Sequence, residues 1–118
     1  MSESDVLKAC TDVLDWHPAV GKWWRCPSGK VRVKGGYMQL APAGTADITV
    51  VLRGSGRYLG VEVKKDGKKS TTSAARREVQ AKFVQDIAAI GGRVVTVWSA
   101  AELVLVLNEI WREKASGT

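Results

Sequence analysis

Two apolar runs joined by a glycine-containing turn constrain the fold of this 118-residue chain more than any other feature. The first run is DITVVL at 47–52, the second extends from Tyr58 to Lys65, and the segment RGSGR lies between them. Short runs rich in β-branched residues that flank a Gly-rich turn form antiparallel hairpins. The sequence therefore predicts a β-hairpin at the centre of the fold.

Helices are predicted on both sides of this hairpin. Apolar residues recur at helical spacing over 3–16, and Ser2 with Asp5 forms a capping box in front of them. A strand is predicted over 93–98, and the capping box Ser99-Ala-Ala-Glu102 opens a last helix that extends to about residue 113. Between 17 and 46, a stretch rich in Gly and Pro, a single strand is predicted over 30–34. These elements predict an α/β domain with a short mixed sheet.

The second helix is predicted over 73–90, with its end at Gly91-Gly92. Its apolar face is predicted to comprise Phe83, Val84, Ile87 and Ile90. Gln80 lies three and four residues before Phe83 and Val84, so it shares that face. A side-chain amide that faces inward needs hydrogen-bonding partners, which marks Gln80 as a candidate site residue.

Composition limits the classes of function. The chain carries 18 Lys and Arg against 12 Asp and Glu, a net charge of +6, and a small basic domain favours nucleic acid as its partner. No apolar run is long enough for a membrane helix, and the first residues do not resemble a secretory signal. The two cysteines form no metal-binding spacing, so a reduced, intracellular and cytoplasmic protein is expected.

Charged residues occupy the polar face of the second hairpin strand. Strand alternation places Val61 and Val63 on one face and Glu62 and Lys64 on the other, while Asp47 stands at the start of the first strand. A solvated strand face with a surface ion pair would give the same local pattern. Two carboxylates and a lysine also suit metal-dependent phosphodiester hydrolysis, because Mg²⁺ prefers oxygen ligands and activates bound water.

The register of the hairpin decides whether the three side chains meet. Asp47 shares a face with Glu62 only when opposed residue numbers add to an odd value, which requires a turn with an even number of residues or a bulge. A two-residue Ser55-Gly56 turn would place Asp47 opposite Lys64. A three-residue turn from Gly54 would place it opposite Val63, on the wrong face.

The ordered set of motifs resembles the PD-(D/E)XK nuclease superfamily and, within it, the VRR-NUC group. The resemblance rests on Glu3-x-x-Val6, Gly44-x-x-Asp47, the run from Tyr58 to Lys64, Gln80-Ala-Lys-Phe83, and the strand and capped helix after Gly91. It covers most of residues 3–107. It implies a restriction-endonuclease-like αβββαβα core, a mixed sheet flanked by helices, built by residues 1–118 as one nuclease domain. Ala46 replaces the Pro that precedes the motif aspartate in many relatives.

The resemblance also implies roles for individual residues. Asp47, Glu62 and the carbonyl of Val63 correspond to metal ligands, Lys64 to the catalytic lysine, and Gln80 to the supporting glutamine. Glu3 corresponds to an acid of the first helix that completes the site through a metal-bound water, with Asp5 as the alternative acid. The implied cofactor is Mg²⁺, with Mn²⁺ able to substitute.

Two basic groups are candidates for DNA contacts. The first, beside the candidate site, comprises Lys65, Lys68, Lys69, Arg76 and Arg77. The second comprises Arg25, Lys30, Arg32 and Lys34. Cations near a nuclease centre can contact backbone phosphates, although a solubilising loop would have a similar composition. Trp23 and Trp24 could stack on unpaired bases or form a dimer contact.

The expected function is that of a metal-dependent DNA endonuclease. The resemblance implies a homodimer that cleaves branched DNA, in the manner of Holliday junction resolvases. Two alternatives stay open: a nuclease on flaps, nicks or single strands, and a non-catalytic DNA-binding subunit of the same fold.

Overall fold

The computed structural model describes residues 2–26, 30–64 and 74–115, without the side chains of Glu3, Lys30, Lys114 and Ala115. Its helices are α1 (Glu3–Trp16), α2 (Ala74–Ala89) and α3 (Ala100–Ala115). Its strands are β1 (Val20–Arg25), β2 (Lys30–Val33), β3 (Gly36–Gln39), β4 (Ile48–Leu52), β5 (Tyr58–Val63) and β6 (Arg93–Val97). Among the described residues, no helix is both long and apolar enough to span a membrane.

Four strands form the main sheet in the order β1-β4-β5-β6. Strand β4 is antiparallel to both of its neighbours, β1 and β5, and β6 lies parallel to β5. The strands β2 and β3 form a separate two-stranded sheet. The predicted α/β class with a mixed sheet flanked by helices is therefore confirmed.

The central hairpin has the parity that the candidate site requires. Ile48 pairs with Val61 and Val51 with Tyr58, so opposed residue numbers add to an odd value. The turn has four residues, 53–56, and Gly56 N–H donates to the Leu52 carbonyl (2.9 Å). The turn has an even number of residues, as the site requires, but four and not two. The partner position of Asp47 is therefore residue 62 and not residue 64. The next position beyond Ile48 and Val61 brings Asp47 beside Glu62.

The core lies between one face of the sheet and the helices α1 and α3. Its fully buried side chains include Ile48, Val61 and Val63 from the sheet and Leu103 and Leu107 from α3. Each such aliphatic side chain contributes roughly 1.5–3 kcal/mol relative to exposure. The burial of Val61 and Val63 fixes the opposite orientation of Glu62, because successive side chains of a strand alternate between faces.

Capping hydrogen bonds fix the starts of α1 and α3. Ser2 Oγ accepts from Asp5 N–H, and the Asp5 carboxylate accepts from Ser2 N–H, which confirms the predicted capping box. At α3, Ser99 Oγ accepts from Glu102 N–H, while the Glu102 carboxylate accepts from Trp98 N–H. The first helix ends at Trp16 as predicted.

Helix α2 covers the other face of the sheet and buries little of itself. None of its residues is fully buried. Phe83 contacts Tyr58 edge to face, with ring centroids 6.4 Å apart, and Ile87 is half-buried. The predicted inward orientation of Val84 and Ile90 was wrong: both are exposed, Ile90 to 82%. Gly91 ends the helix with φ +96°, as predicted.

The segment from 17 to 46 contains two strands that the sequence did not predict. Strand β1 pairs with β4 and forms one edge of the main sheet. Strand β3 pairs with β2 around a turn in which Gly35 has φ +87°. Left-handed backbone at this position favours glycine, so the Gly-Gly pair marks a hairpin turn and not a loop.

Candidate active site

Asp47 directly precedes the central strand β4 and is held there by hydrogen bonds to both neighbouring strands. Its backbone carbonyl accepts from Cys26 N–H (2.8 Å), just past the end of β1. Its side-chain Oδ2 accepts from Val63 N–H (2.9 Å), at the end of β5. These two contacts fix the carboxylate next to the last residues of β5.

Glu62 lies beside Asp47 on the face of the sheet that α2 covers. Its side chain is 17% exposed. Burial raises the pKa of Glu62 from 4.5 to about 7, and the charge of Asp47 and a hydrogen bond with it act in the same direction. Lys64 and Arg76 lower this pKa, but only in part. Two carboxylates that repel each other in a partly buried setting form a centre that attracts a cation.

Lys64 lies on the same face as Glu62, as the alternation predicts. Its Nζ is 4.0 Å from Glu62 Oε1, so the two charges attract without a close hydrogen bond. The side chain of Lys64 is largely buried. The ammonium group therefore stands close to the two carboxylates and keeps donors for a further ligand.

Helix α2 closes the site from above. A cavity of about 70 Å³ separates it from the sheet, and its lining comprises Gly44, Thr45, Asp47, Glu62, Arg76, Val79 and Gln80. Gln80 therefore faces the carboxylates as predicted. Its amide makes no hydrogen bond to any residue that the structure describes. Arg76 reaches the same cavity because it precedes Gln80 by one helical turn, a spacing from which the sequence could have placed it there.

Gly44 allows α2 to approach this closely. Its φ is +84°, and a Cβ at this position would lie 2.7 Å from the carbonyl oxygen of Val79 and 3.1 Å from Phe83 Cβ. A side chain here would push the helix away from the sheet. The glycine of the Gly44-x-x-Asp47 motif thus sets the depth of the cavity.

A second cavity of about 220 Å³ lies on the other side of Asp47, lined by Ser4, Leu7, Arg25, Asp47 and Val63. The first turn of α1 therefore reaches the site. The side chain of Glu3 lies outside the described residues, so its role stays a prediction. Asp5 is exposed and occupied by the capping box, whose hydrogen bonds from Ser2 lower its pKa.

The basic residues predicted to contact DNA occupy different places. Arg25 lies at the second cavity, and Arg77 is exposed on α2. Arg32 and Lys34 belong to the β2–β3 hairpin. The predictions for Lys65, Lys68 and Lys69, and for the side chain of Lys30, lie outside the described residues.

The two candidate stacking residues differ in their surroundings. Trp23 packs against the core, and its Nε1–H donates to Asp15 Oδ1 (2.9 Å). Trp24 is 45% exposed. Of the two, Trp24 keeps surface for a base or a partner chain.

The donor set fits a hard divalent cation. The described residues contain no cluster of three or more His, Cys, Asp or Glu side chains. They do provide the Asp47 and Glu62 carboxylates at one small polar cavity, and carboxylate oxygens are the ligands that Mg²⁺ takes in proteins, together with water. Besides burial, the charge of Asp47 raises the pKa of Glu62, and a bound cation would offset the repulsion between these two carboxylates.

Comparison with known proteins returned no family. No protein-family model matches the chain, and no curated protein matches it.

Proposed function

We propose that this protein is a metal-dependent endonuclease that hydrolyses phosphodiester bonds in DNA. The observation that carries the proposal is the pairing of Asp47 and Glu62 at one edge of the sheet, with Lys64 on the same face and Gln80 above them. Apart from β2 and β3, the elements follow the order α-β-β-β-α-β-α. This is the order that the resemblance to the PD-(D/E)XK superfamily implies, and it supports the proposal.

Asp47 and Glu62 would hold the metal ion, Mg²⁺ or in its place Mn²⁺. The resemblance adds the carbonyl of Val63 and, through a water, Glu3. When bound, the ion lowers the pKa of a coordinated water and polarises the scissile phosphate. The hydrogen bond from Val63 N–H keeps Asp47 Oδ2 oriented, so the carboxylate is in place before the cation arrives.

Lys64 and Gln80 would act on the reacting groups. The Lys64 ammonium group can hold the attacking water and offset the negative charge that develops on the phosphate in the transition state. The Gln80 amide faces the same cavity and can orient that water through its carbonyl oxygen. Arg76 places a further positive charge at the cavity, where it can contact a phosphate oxygen.

The proposed substrate is branched DNA, cleaved by a homodimer. Two active sites that act across a junction require two protomers. Contacts of Lys and Arg with backbone phosphates position a protein on DNA and respond to DNA shape without reading base sequence directly. The basic residues at 65–77 would supply phosphate contacts.

The test is a cleavage panel with purified protein, Mg²⁺ and labelled DNA: a four-way junction, a flap, a splayed arm, a nicked duplex and a single strand. We expect symmetric cuts in the junction, and loss of these cuts in Glu62→Gln and Asp47→Asn. Glu109→Gln, an exposed residue of α3, is the matched control and should cleave like the wild type.

Two results would contradict the proposal. Cleavage by Glu62→Gln at the wild-type rate would remove the proposed centre. Binding of the junction without cleavage in either Mg²⁺ or Mn²⁺ would favour a non-catalytic DNA-binding subunit.

A further inference from the structure

The β2–β3 hairpin, residues 30–40, forms an arm that is separate from the main sheet. Its residues 31–40 are all exposed. The arm belongs to the segment that joins β1 to β4, and at the base of this segment Cys26 N–H donates to the backbone carbonyl of Asp47. Because β1 and β4 are antiparallel neighbours, the end of β1 and the start of β4 lie side by side, and the arm leaves the sheet there, next to Asp47.

The arm has two chemically different faces. Arg32 pairs with Tyr37 across the hairpin, so the two side chains share one face, whereas Val31 and Met38 share the other. Lys34 lies two residues after Arg32, in the turn of the hairpin. Tyr37 is 70% exposed, the most exposed aromatic side chain among the described residues. An exposed aromatic ring beside two cations is a surface suited to nucleic acid, because cations contact phosphates and rings stack on bases.

Charge concentrates on this part of the chain. Between Asp15 and Asp47 there is no Asp or Glu, while Lys22, Arg25, Lys30, Arg32 and Lys34 contribute +5 of the net charge of +6. Arg32 and Lys34 make no ion pair or hydrogen bond with any residue that the structure describes. Five cations in a segment that has no acidic residue favour a polyanion as the partner of this surface.

We propose that the basic face of the arm binds the branch point of the DNA and gives the enzyme its preference for branched over intact duplex substrates. Arg32 and Lys34 contact backbone phosphates, and Tyr37 stacks on a base that loses its stacking neighbour at the branch point. This inference rests on the proposed function, since the arm and the carboxylates lie at the same edge of the sheet and serve the same substrate.

The test measures binding in EDTA, where no cleavage occurs, by fluorescence anisotropy with a splayed-arm DNA and an intact duplex. Tyr37→Ala should weaken binding to the splayed arm about tenfold and leave duplex binding within about twofold, because the variant cannot stack on a base. Tyr37→Phe keeps the ring and should bind both DNAs like the wild type. Met38→Ala, on the opposite face, is the matched control and should change neither affinity.

The cations are tested by salt dependence. Arg32→Ala with Lys34→Ala should weaken both DNAs and flatten the slope of log affinity against log salt by about 1.8, at about 0.9 per phosphate contact. Thermal melts of all variants should match the wild type, because the substituted side chains are exposed.

Three outcomes would overturn the inference. The first is equal weakening of duplex and splayed arm by Tyr37→Ala, and the second is no change with either DNA. The third is weaker binding in Met38→Ala with none in Tyr37→Ala, which would place the contact on the apolar face. The proposed function fails separately, because it is refuted if the wild type cleaves no DNA in Mg²⁺. If the wild type cleaves DNA but the arm variants bind DNA like the wild type, only the inference about the arm is refuted.

Discussion

Glu62 makes the stability of the metal-free protein depend on pH. Burial and the neighbouring Asp47 raise its pKa from 4.5 to about 7 in the folded protein, whereas in the unfolded chain it returns to the ordinary value. Folding therefore takes up a proton between these two values. The stability that this group contributes is fully present below about pH 4.5 and is lost as the pH rises through about 7.

The size of the effect follows from the gap between the two pKa values. At about 1.4 kcal/mol per pKa unit, a gap from 4.5 to about 7 corresponds to at most about 3 kcal/mol. Glu62 keeps some contact with solvent, which screens the repulsion, so roughly half of this, about 1–2 kcal/mol, is expected. For a domain of this size, about 1 kcal/mol shifts Tm by roughly 3–4 °C, which gives a loss of about 3–8 °C over the whole titration.

The assay compares thermal melts of the wild type and Glu62→Gln in EDTA from pH 5 to pH 8. Gln at 62 cannot ionise, and pH 5 already lies above the ordinary pKa of 4.5, so the wild type should lose about three quarters of the full effect, about 2–6 °C, relative to the variant over this range. Other titrating groups cancel in the difference between the two proteins. Glu109→Gln, which removes an exposed carboxylate, should run parallel to the wild type. Parallel curves for Glu62→Gln and wild type would refute the reasoning.

The same proton competes with a metal ion. If Asp47 and Glu62 hold Mg²⁺, binding must displace the proton from Glu62, so Mg²⁺ should raise Tm more at pH 8 than at pH 6. Glu62→Gln should show little response to Mg²⁺ at either pH. An equal Mg²⁺ response in wild type and variant would place the ion elsewhere.

Three further predictions concern other parts of the molecule. Asp47→Ala should abolish cleavage of the same DNA panel while junction binding in EDTA, measured by anisotropy, is kept or tightened, because a negative charge leaves the phosphate site. Gly44→Ala should lower the free energy of unfolding, measured in urea, by about 1–3 kcal/mol more than Gly35→Ala. Both glycines have a positive φ, but only the Cβ at 44 would meet Val79. Lys68→Ala with Lys69→Ala should flatten the salt dependence of DNA binding by about 0.9 for each phosphate that the variant no longer touches, without changing sequence preference.

The sequence predicted the elements whose patterns are local. Helix α1, the β4–β5 hairpin and the capped α3 follow from spacing and from caps, and the alternation in β5 correctly set Val61 against Glu62. Strand β1 was missed because VGKWWR has no regular alternation and begins only two residues after Pro18. Its pairing with β4 is a long-range contact that no local pattern reveals.

The candidate site was predicted in part for the same reason. Asp47, Glu62 and Lys64 follow from strand alternation once the turn is even, and Gln80 follows from helical spacing. The contact of Val63 N–H with Asp47 depends on where β4 ends, and the cavity at Ser4 and Arg25 depends on how α1 crosses the sheet. These contacts depend on how distant elements pack together, which the periodicity of a local segment does not reveal.

Helix α2 buries none of its side chains fully, so the part of the site that lies on α2 is held less firmly than the part that lies on the sheet. Local opening of a protein begins with elements that have few buried apolar contacts, so the amide protons of α2 should exchange with solvent deuterium before those of β4 and β5. In such an opening Gln80 and Arg76 would depart with the helix, while Asp47 and Glu62 would stay on the sheet. In the proposed nuclease, a DNA strand would then enter over carboxylates that are already in position, and the return of α2 would complete the enclosure without any disturbance of the core.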